Sequence, residues 1–452
     1  MTGLPAEPDR LRRVAKEILD LPGADGVEVL FTASNTALTR YARSQIIQNT
    51  VQRTIRAYVR TAVGQRYASA STNQLEPEHL KRAAESALEA AHASPDDPDF
   101  PGLPNPAEVG RAEGIMRFDD VTAACTAERR ARAVGEMLRI VEGSEAAGIF
   151  ETSSHVYCIV SSEGIDCFDS YTRCVASCLA DLGDSTGYRE FSSHSIDDVD
   201  YRTLARAAME KARAGEGAVD IGPGKYEVVL EPNAVALLLE YLSYTGFGAK
   251  QVIDGESFLS ERTGQQVAVP DVTVADDVYH PLSVGIGFDL EGLPKRRVEV
   301  IDRGIAKEPV TDLRTARRLG LTPSGHYSGS NEYGPWASNV VMDGGTVPRE
   351  DLIAGVDRGL LVTRFHYINV LDRPAALLTG MTRDGTWLIE KGEVTQPVRN
   401  LRFTESVLDA LATVRGIGDD PEALAPDYGS FGSHVAPSLR IGEFSFTSAT
   451  SH

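Results

Sequence analysis

What this chain has least of is metal-binding chemistry within any short stretch. Its nine histidines are His79, His92, His155, His194, His280, His326, His366, His434 and His452. No two lie within two helical turns of each other, which excludes a local two-histidine helical metal motif. The five cysteines, Cys125, Cys158, Cys167, Cys174 and Cys178, leave everything after residue 178 without a thiol. An odd number argues for free thiols in a reducing compartment and against a disulfide framework. Cys174, Ala176 and Cys178 fall on one face of a strand, with the two sulfurs' backbones about 13 Å apart. That is too far for one zinc, so both read as small buried hydrophobes.

Positive charge is also scarce. Forty-five Lys and Arg stand against 65 Asp and Glu, for a net charge of −20 and a pI near 4.9. Sequence-independent nucleic-acid binding depends on Lys and Arg displacing counterions, so no nucleic-acid partner is expected. No apolar run approaches the roughly 18 residues of a membrane helix. The opening MTGLPAEPDRLRRVAKEIL carries charges where a secretory signal needs an apolar core, so the expected location is the cytoplasm and no membrane partner is expected. There is no G-x-S-x-G. Gly222-Pro223-Gly224 and Gly344-Gly345 lack the Lys-Ser/Thr of a phosphate loop and read as turns.

What is present is a folded chain of 452 residues, 42% hydrophobic and 24% charged, long enough to expect two domains. Leu11, Val14, Ala15, Ile18 and Leu19 make one stripe of an opening amphipathic helix. The period then changes to two: Val27, Val29 and Phe31, then Val51–Arg60, predict strands, with a hairpin at Gly64 into Arg66–Ser71. A helix starts near Pro77, with Leu80, Ala84 and Ala87 on one side. Ser94–Pro106 holds five prolines and no periodicity, so it is a connection. Ala127–Val141 predicts a third helix, His155–Ser161 and Ile165–Ala180 strands, and Tyr201–Ala212 a fourth helix. Leu80-Lys-Arg-Ala-Ala and Leu204-Ala-Arg-Ala-Ala each follow a strand-rich run, a hint of a duplicated strands-then-helix unit.

The glycine-rich Ala214–Gly224 marks a boundary. The expected fold class is α+β: an N-terminal domain over 1–220, with helices on antiparallel sheet, and a strand-rich C-terminal domain over 225–446. The second begins with strand Lys225–Leu230 and a helix opened by Pro232, where a proline is tolerated because its missing N–H has no helical partner. That helix is expected to reach Tyr244 and stop before Gly246. Strands are expected at Ser338–Met342, Arg358–Arg364, Leu377–Met381, Thr386–Lys391 and Leu439–Phe446, and helices at Pro348–Val356 and Thr404–Leu411.

The window Leu239, Glu240, Tyr241, Leu242, Ser243, Tyr244, together with the glycine-punctuated block Gly287–Gly325, resembles the TldD/PmbA family, the so-called modulators of DNA gyrase. The catalytic branch of that family carries H-E-x-x-x-H in this helix, and a cysteine near the C-terminus as a further zinc ligand. Here Leu239 and Tyr244 stand where the histidines would be, and no late cysteine exists. The resemblance therefore implies the PmbA-like, TldE-like branch: no metal site and no cofactor in this chain, with zinc in a TldD-like partner subunit. The pair would be a heterodimeric metallopeptidase that cleaves unfolded peptides or matures peptide precursors. Glu240 is then a relic of the family's general base, with a solvated or interface carboxylate as its plain alternative. Asn233, Glu240 and Tyr244 are expected on roughly one face of the helix.

The resemblance also places a substrate-lining strand at Arg364–Asn369 and Thr379–Gly385, which offers His366, Tyr367, Arg383 and Asp384 to an extended peptide. Arg383 and Asp384 read equally well as a hairpin turn at Asp384-Gly385. Two further readings remain: a stand-alone hydrolase of natural-product amides or peptide bonds, and a non-catalytic peptide-binding homodimer.

Overall fold

The period-two pattern of the N-terminal half becomes six strands of one antiparallel sheet in a computed structural model that describes residues 5–427 and 431–449. The strands are β1 (Gly26–Ala42), β2 (Gln45–Val63), β3 (Arg66–Thr72), β4 (Glu145–Ser161), β5 (Asp166–Asp181) and β6 (Thr186–Ser193). Their order is β3-β2-β1-β4-β5-β6, so two hairpin-linked triplets meet along β1 and β4. Helices Pro8–Lys16 and Pro77–Ala93 pack on the first triplet, burying Leu11, Leu80 and Ala84 against Val29 and Phe31. Helices Ala127–Ile140 and Tyr201–Ala214 cover the second, with Val134 and Ala208 against Phe150, Cys174 and Cys178. Each large apolar side chain buried this way contributes about 1.5–3 kcal/mol.

Small residues set how closely the layers approach. A Cβ on Gly187 of β6 would stand 2.1 Å from the backbone oxygen of Ala208, so any larger residue there would push the last helix off the sheet. The opposite face of the sheet packs on the C-terminal half, where Leu30, Ile159 and Tyr171 meet Val284, Ile286 and Phe288.

That half is built around β7 (Gly224–Leu230). It lies between the strands Arg358–Asp372 and Leu439–Ala449, and the ring continues through Leu401–Ser406 and Leu377–Glu390 back to Arg358–Asp372. Five strands thus close on themselves, which removes their edges. Phe365, Phe403 and Phe444 fill the interior, with ring centroids 4.7–5.5 Å apart. The helix Pro232–Gly246 leaves β7 and is buried at twelve of its fifteen positions. A helix apolar nearly all round belongs to a core. A second C-terminal sheet, containing the short strands Val340–Met342 and His434–Ala436, packs against it.

Several expectations are corrected. β4 begins at Glu145, ten residues before the predicted strand, and β6 was not anticipated. The central helix runs through Gly246, whose missing side chain makes room for the Phe258 ring 2.6 Å from the would-be Cβ. Residues 401–406 are strand, and only Val407–Leu411 is helical. Short strands also occupy Val414–Ile417 and Glu422–Leu424, which were not anticipated.

Asp384-Gly385 is no hairpin turn. Leu377–Glu390 is one strand, and its register against Arg358–Asp372 slips between Val362 and Arg364, so Asp384 and Gly385 form a bulge. Glycine is required there: φ is 133°, and a Cβ would meet the Trp387 ring at 2.2 Å.

Candidate functional site

The central helix separates two cavities. Leu239 is 1% exposed and packs in the core, while Tyr244 reaches the larger cavity, of about 1010 Å³. Glu240, one residue on from Leu239, turns to the other side and lines a cavity of about 340 Å³ together with Asn233. Asn233 and Glu240 therefore share a face, but Tyr244 does not join them.

The side chains at the family's metal positions do not fit zinc. Leu239 offers no donor atom, and a neutral phenol is a poor ligand. The Tyr244 hydroxyl accepts a hydrogen bond from Arg373 Nη2 at 3.1 Å, and the same guanidinium lies 5.0 Å above its ring. A cation held this close is the wrong neighbour for a second one. Among the described residues, no group of three His, Cys, Asp or Glu is placed to hold a metal.

Glu240 is not a solvated carboxylate. It is 4% exposed, accepts the Asp427 N–H at 3.0 Å and lies 3.6 Å from His434 Nε2. Across the small cavity stand Glu190 of β6 and Asp427, whose carboxyls are both pushed up from the usual range, first by burial. The Glu240 charge adds to the effect on Asp427. Tyr188 donates to Glu190 at 2.5 Å.

Of the residues predicted to meet substrate, His366 and Tyr367 line this cavity and Arg383 and Asp384 do not. Asp384 is 1% exposed and accepts from Arg364 Nε at 2.6 Å and from Thr186 Oγ1 at 2.7 Å, so it holds a wall in place from behind. Burial, then Arg383 and Arg364, hold the His366 ring below its usual pKa. Tyr367 sits at the mouth, 69% exposed, with φ 52°, and its ring is 4.5 Å from His366. A positive φ on a bulky residue is strained.

The sequence did not point to Glu190, Arg364, Asp427 or His434. The first two alternate along strands like any surface residue, and the last two have no local partner. Only the fold brings them to Glu240.

The larger cavity is walled by the helix-free face of the N-terminal sheet and by the C-terminal half. Tyr58, Tyr157, Tyr327 and Trp336 give it an aromatic lining. Arg60 bridges Glu28 at 2.8 Å and Glu291 at 2.9 Å, all largely buried. Burial pushes the Glu28 carboxyl up to about 7, and it also raises Glu291 and Asp289. Lys295, held down by burial, donates to Ser338 Oγ at 2.9 Å.

Comparison with known families finds three successive matches. Residues 27–91 match PmbA/TldA metallopeptidase domain 1, residues 105–216 the central domain and residues 223–448 the C-terminal domain. A metalloprotease PmbA homolog of Haemophilus influenzae is 24% identical over 446 residues, 93% of each chain. A metalloprotease of Methanothermobacter thermautotrophicus is 25% identical over 226 residues, 49% of each chain. The match to that protein, and to a Methanocaldococcus jannaschii metalloprotease covered over 62% of its length, thus spans less than two thirds of those relatives. The crystal structure of TldE from Thermococcus kodakarensis has the same fold, with a TM-score of 0.84 at 18% identity, covering 97% of this chain and 99% of that one. No helix among the described residues is long and apolar enough to cross a membrane. With one family matched in order from residue 27 to residue 448, the resemblance carried by Leu239–Tyr244 and the C-terminal block is correct, and the chain belongs to the PmbA/TldD metallopeptidase family.

Proposed function

We propose that this chain is the non-catalytic subunit of a two-chain zinc metallopeptidase, pairing with a TldD-like relative that carries H-E-x-x-x-H. The observation that carries this is the state of positions 239 and 244: one side chain packed in the core, the other a phenol already bound to Arg373. The chain then supplies walls and a peptide-binding strand for chemistry performed by its partner. The small cavity beside Arg358–Asp372 offers polar groups to an extended substrate, whose backbone would pair with strand.

A surface for the partner is at hand in β2. β3 pairs only with Ala57–Val63, so among the described residues one edge of β2 from Gln45 to Arg56 has no neighbouring strand. Ile46, Ile47 and Val51 are 40%, 59% and 55% exposed along it. An open, apolar strand edge is a liability unless a second chain covers it.

The test is co-expression with a zinc-bearing relative from the same genome, followed by sizing, metal analysis and a peptide-cleavage assay. The expected result is a stable two-chain complex with zinc in the partner only, weakened by Ile47→Lys with Val51→Lys. Stoichiometric zinc and peptidase activity in the isolated chain would overturn the proposal.

A second reading, a stand-alone hydrolase, is favoured by one feature, the Lys295–Ser338 contact on the wall of the larger cavity. In that reading Ser338 Oγ adds to an amide carbonyl carbon while Lys295, once deprotonated, takes the hydroxyl proton and passes it to the departing amine as the C–N bond breaks. Labelling of the chain by a fluorophosphonate, abolished by Ser338→Ala, would favour it; no labelling removes it.

A further inference from the structure

What a ligand can touch in the larger cavity is mostly aromatic. Seven of its 24 described lining residues carry aromatic rings, in a chain that is 7% aromatic. Tyr58, Tyr244 and Tyr333 keep 38%, 37% and 63% of their surface exposed. The charged and titratable residues of the same wall are recessed: Glu28, Arg60, His155, Asp289, Lys295 and His326 are each at most 8% exposed. Most are balanced from within. Arg60 lies between Glu28 and Glu291, His326 is bonded to Asp276 at 2.8 Å, and Asp289 accepts the backbone N–H groups of Glu291, Leu293 and Tyr327. Lys295 donates to Ser338 and feels the charges of Asp276, Asp289 and Asp169. Burial lowers His155 to about 3, so that ring is neutral at pH 7.

A separate set of contacts bears on the charge of the ligand. Arg56 lies 5.8 Å over Tyr58, Arg373 5.0 Å over Tyr244, Arg60 5.6 Å over Tyr327 and Lys295 5.2 Å over Phe431. Four of the rings that could receive an organic cation already carry one, and a second cation beside them meets like charge. An anion would leave water for a wall whose recessed cations, Arg60 and Lys295, already have carboxyl groups around them. A neutral ring meets neither obstacle. The wall itself packs ring against ring, Tyr244 with Trp336 and Tyr157 with Phe431, each pair with centroids 5.7 Å apart. Such pairs gain more than the area they bury, which favours an aromatic guest over an aliphatic one. The volume, about 1010 Å³, matches the upper end of small-ligand pockets.

We infer that the larger cavity binds neutral aromatic groups, stacked among Tyr58, Tyr244, Tyr333 and Trp336. Their source is either the aromatic side chains of an extended peptide or a free aromatic compound. Only the first source rests on the peptide-binding reading above; the preference for rings does not.

The test titrates the full chain alone, by isothermal calorimetry, with the N-acetyl α-amides of tyrosine, leucine, lysine and glutamate, and with p-cresol as the free ring. The tyrosine amide is expected to bind about threefold or more tightly than the leucine amide, and about tenfold or more tightly than either charged amide. Tyr58→Ser and Tyr333→Ser are each expected to remove most of the preference for tyrosine over leucine; both rings are exposed, so neither change threatens the fold. Tighter binding of the tyrosine amide than of p-cresol assigns the peptide source, and p-cresol binding at least as well assigns the free compound. Equal affinity for the tyrosine and leucine amides, tighter binding of a charged amide, or no binding at all overturns the inference, as does a preference that both variants leave intact. Failure of the chain to pair with a zinc-bearing relative would sink the proposed function while leaving this result standing.

Discussion

The two cavities share the central helix as a wall and differ in how their charges are balanced. In the larger one the cation is internal: Arg60 lies between Glu28 and Glu291, so the wall neutralises itself. In the smaller one Arg364 lines the space while bonded to the buried Asp384, and its charge acts on both Glu190 and Asp427 across the cavity. A charge network that closes on itself holds a shape. The same helix thus presents Tyr244 to the larger cavity and Glu240 to the smaller.

The largest expected effect comes from breaking the closed network. Arg60→Met leaves Glu28 and Glu291 buried without a cation, and removing one partner of a buried ion pair is destabilising by about 3–5 kcal/mol. Urea unfolding should show that loss, and adding Glu28→Gln and Glu291→Gln should recover much of it. A loss under about 1 kcal/mol would mean the network is not what holds this wall.

A smaller effect sharpens the comparison through pH. His155 on the larger cavity is 7% exposed and stacked 4.6 Å from Tyr171, and burial, with Arg173 nearby, lowers its pKa from 6.5 to about 3. The unfolded chain takes up this proton first. The stability His155 provides is therefore present above pH 6.5 and is lost as pH falls from there toward 3, about 2 kcal/mol by pH 5. Glu28 acts with the opposite sign, since its pKa is raised from 4.5 to about 7, so its contribution fades as pH rises through that window. Unfolding free energies of the wild type and His155→Phe at pH 7 and pH 5 separate the two: the variant should lose less on acidification. Identical slopes would contradict a neutral buried His155.

How much of this was legible in the sequence depends on where each partner lies. The central helix was readable because Pro232 and the apolar residues after it are a local signal. Glu145–Ser154 was not. Its alanines, serines and glycine have weak strand preference, and that segment is extended because β1 and β5 flank it. Asp384-Gly385 has the composition of a hairpin, but the residues on either side pair with a common third strand instead of with each other. Glu240 read as a solvated or interface carboxylate, beside the reading as a relic of the general base, because Asp427 and His434 are 187 residues or more away along the chain.

The smallest expected effect concerns the mouth of the smaller cavity. Tyr367 holds φ 52° with 69% of its surface exposed, so its ring gives little packing in return for a conformation that disfavours any side chain by about 1–2 kcal/mol. Glycine adopts that φ freely, although it gains roughly 0.4–1 kcal/mol of chain entropy in the unfolded state, which offsets part of the relief. Tyr367→Gly should therefore leave stability unchanged or raise it by up to about 1 kcal/mol. A drop in stability of more than about 1 kcal/mol would show that the ring is packed after all.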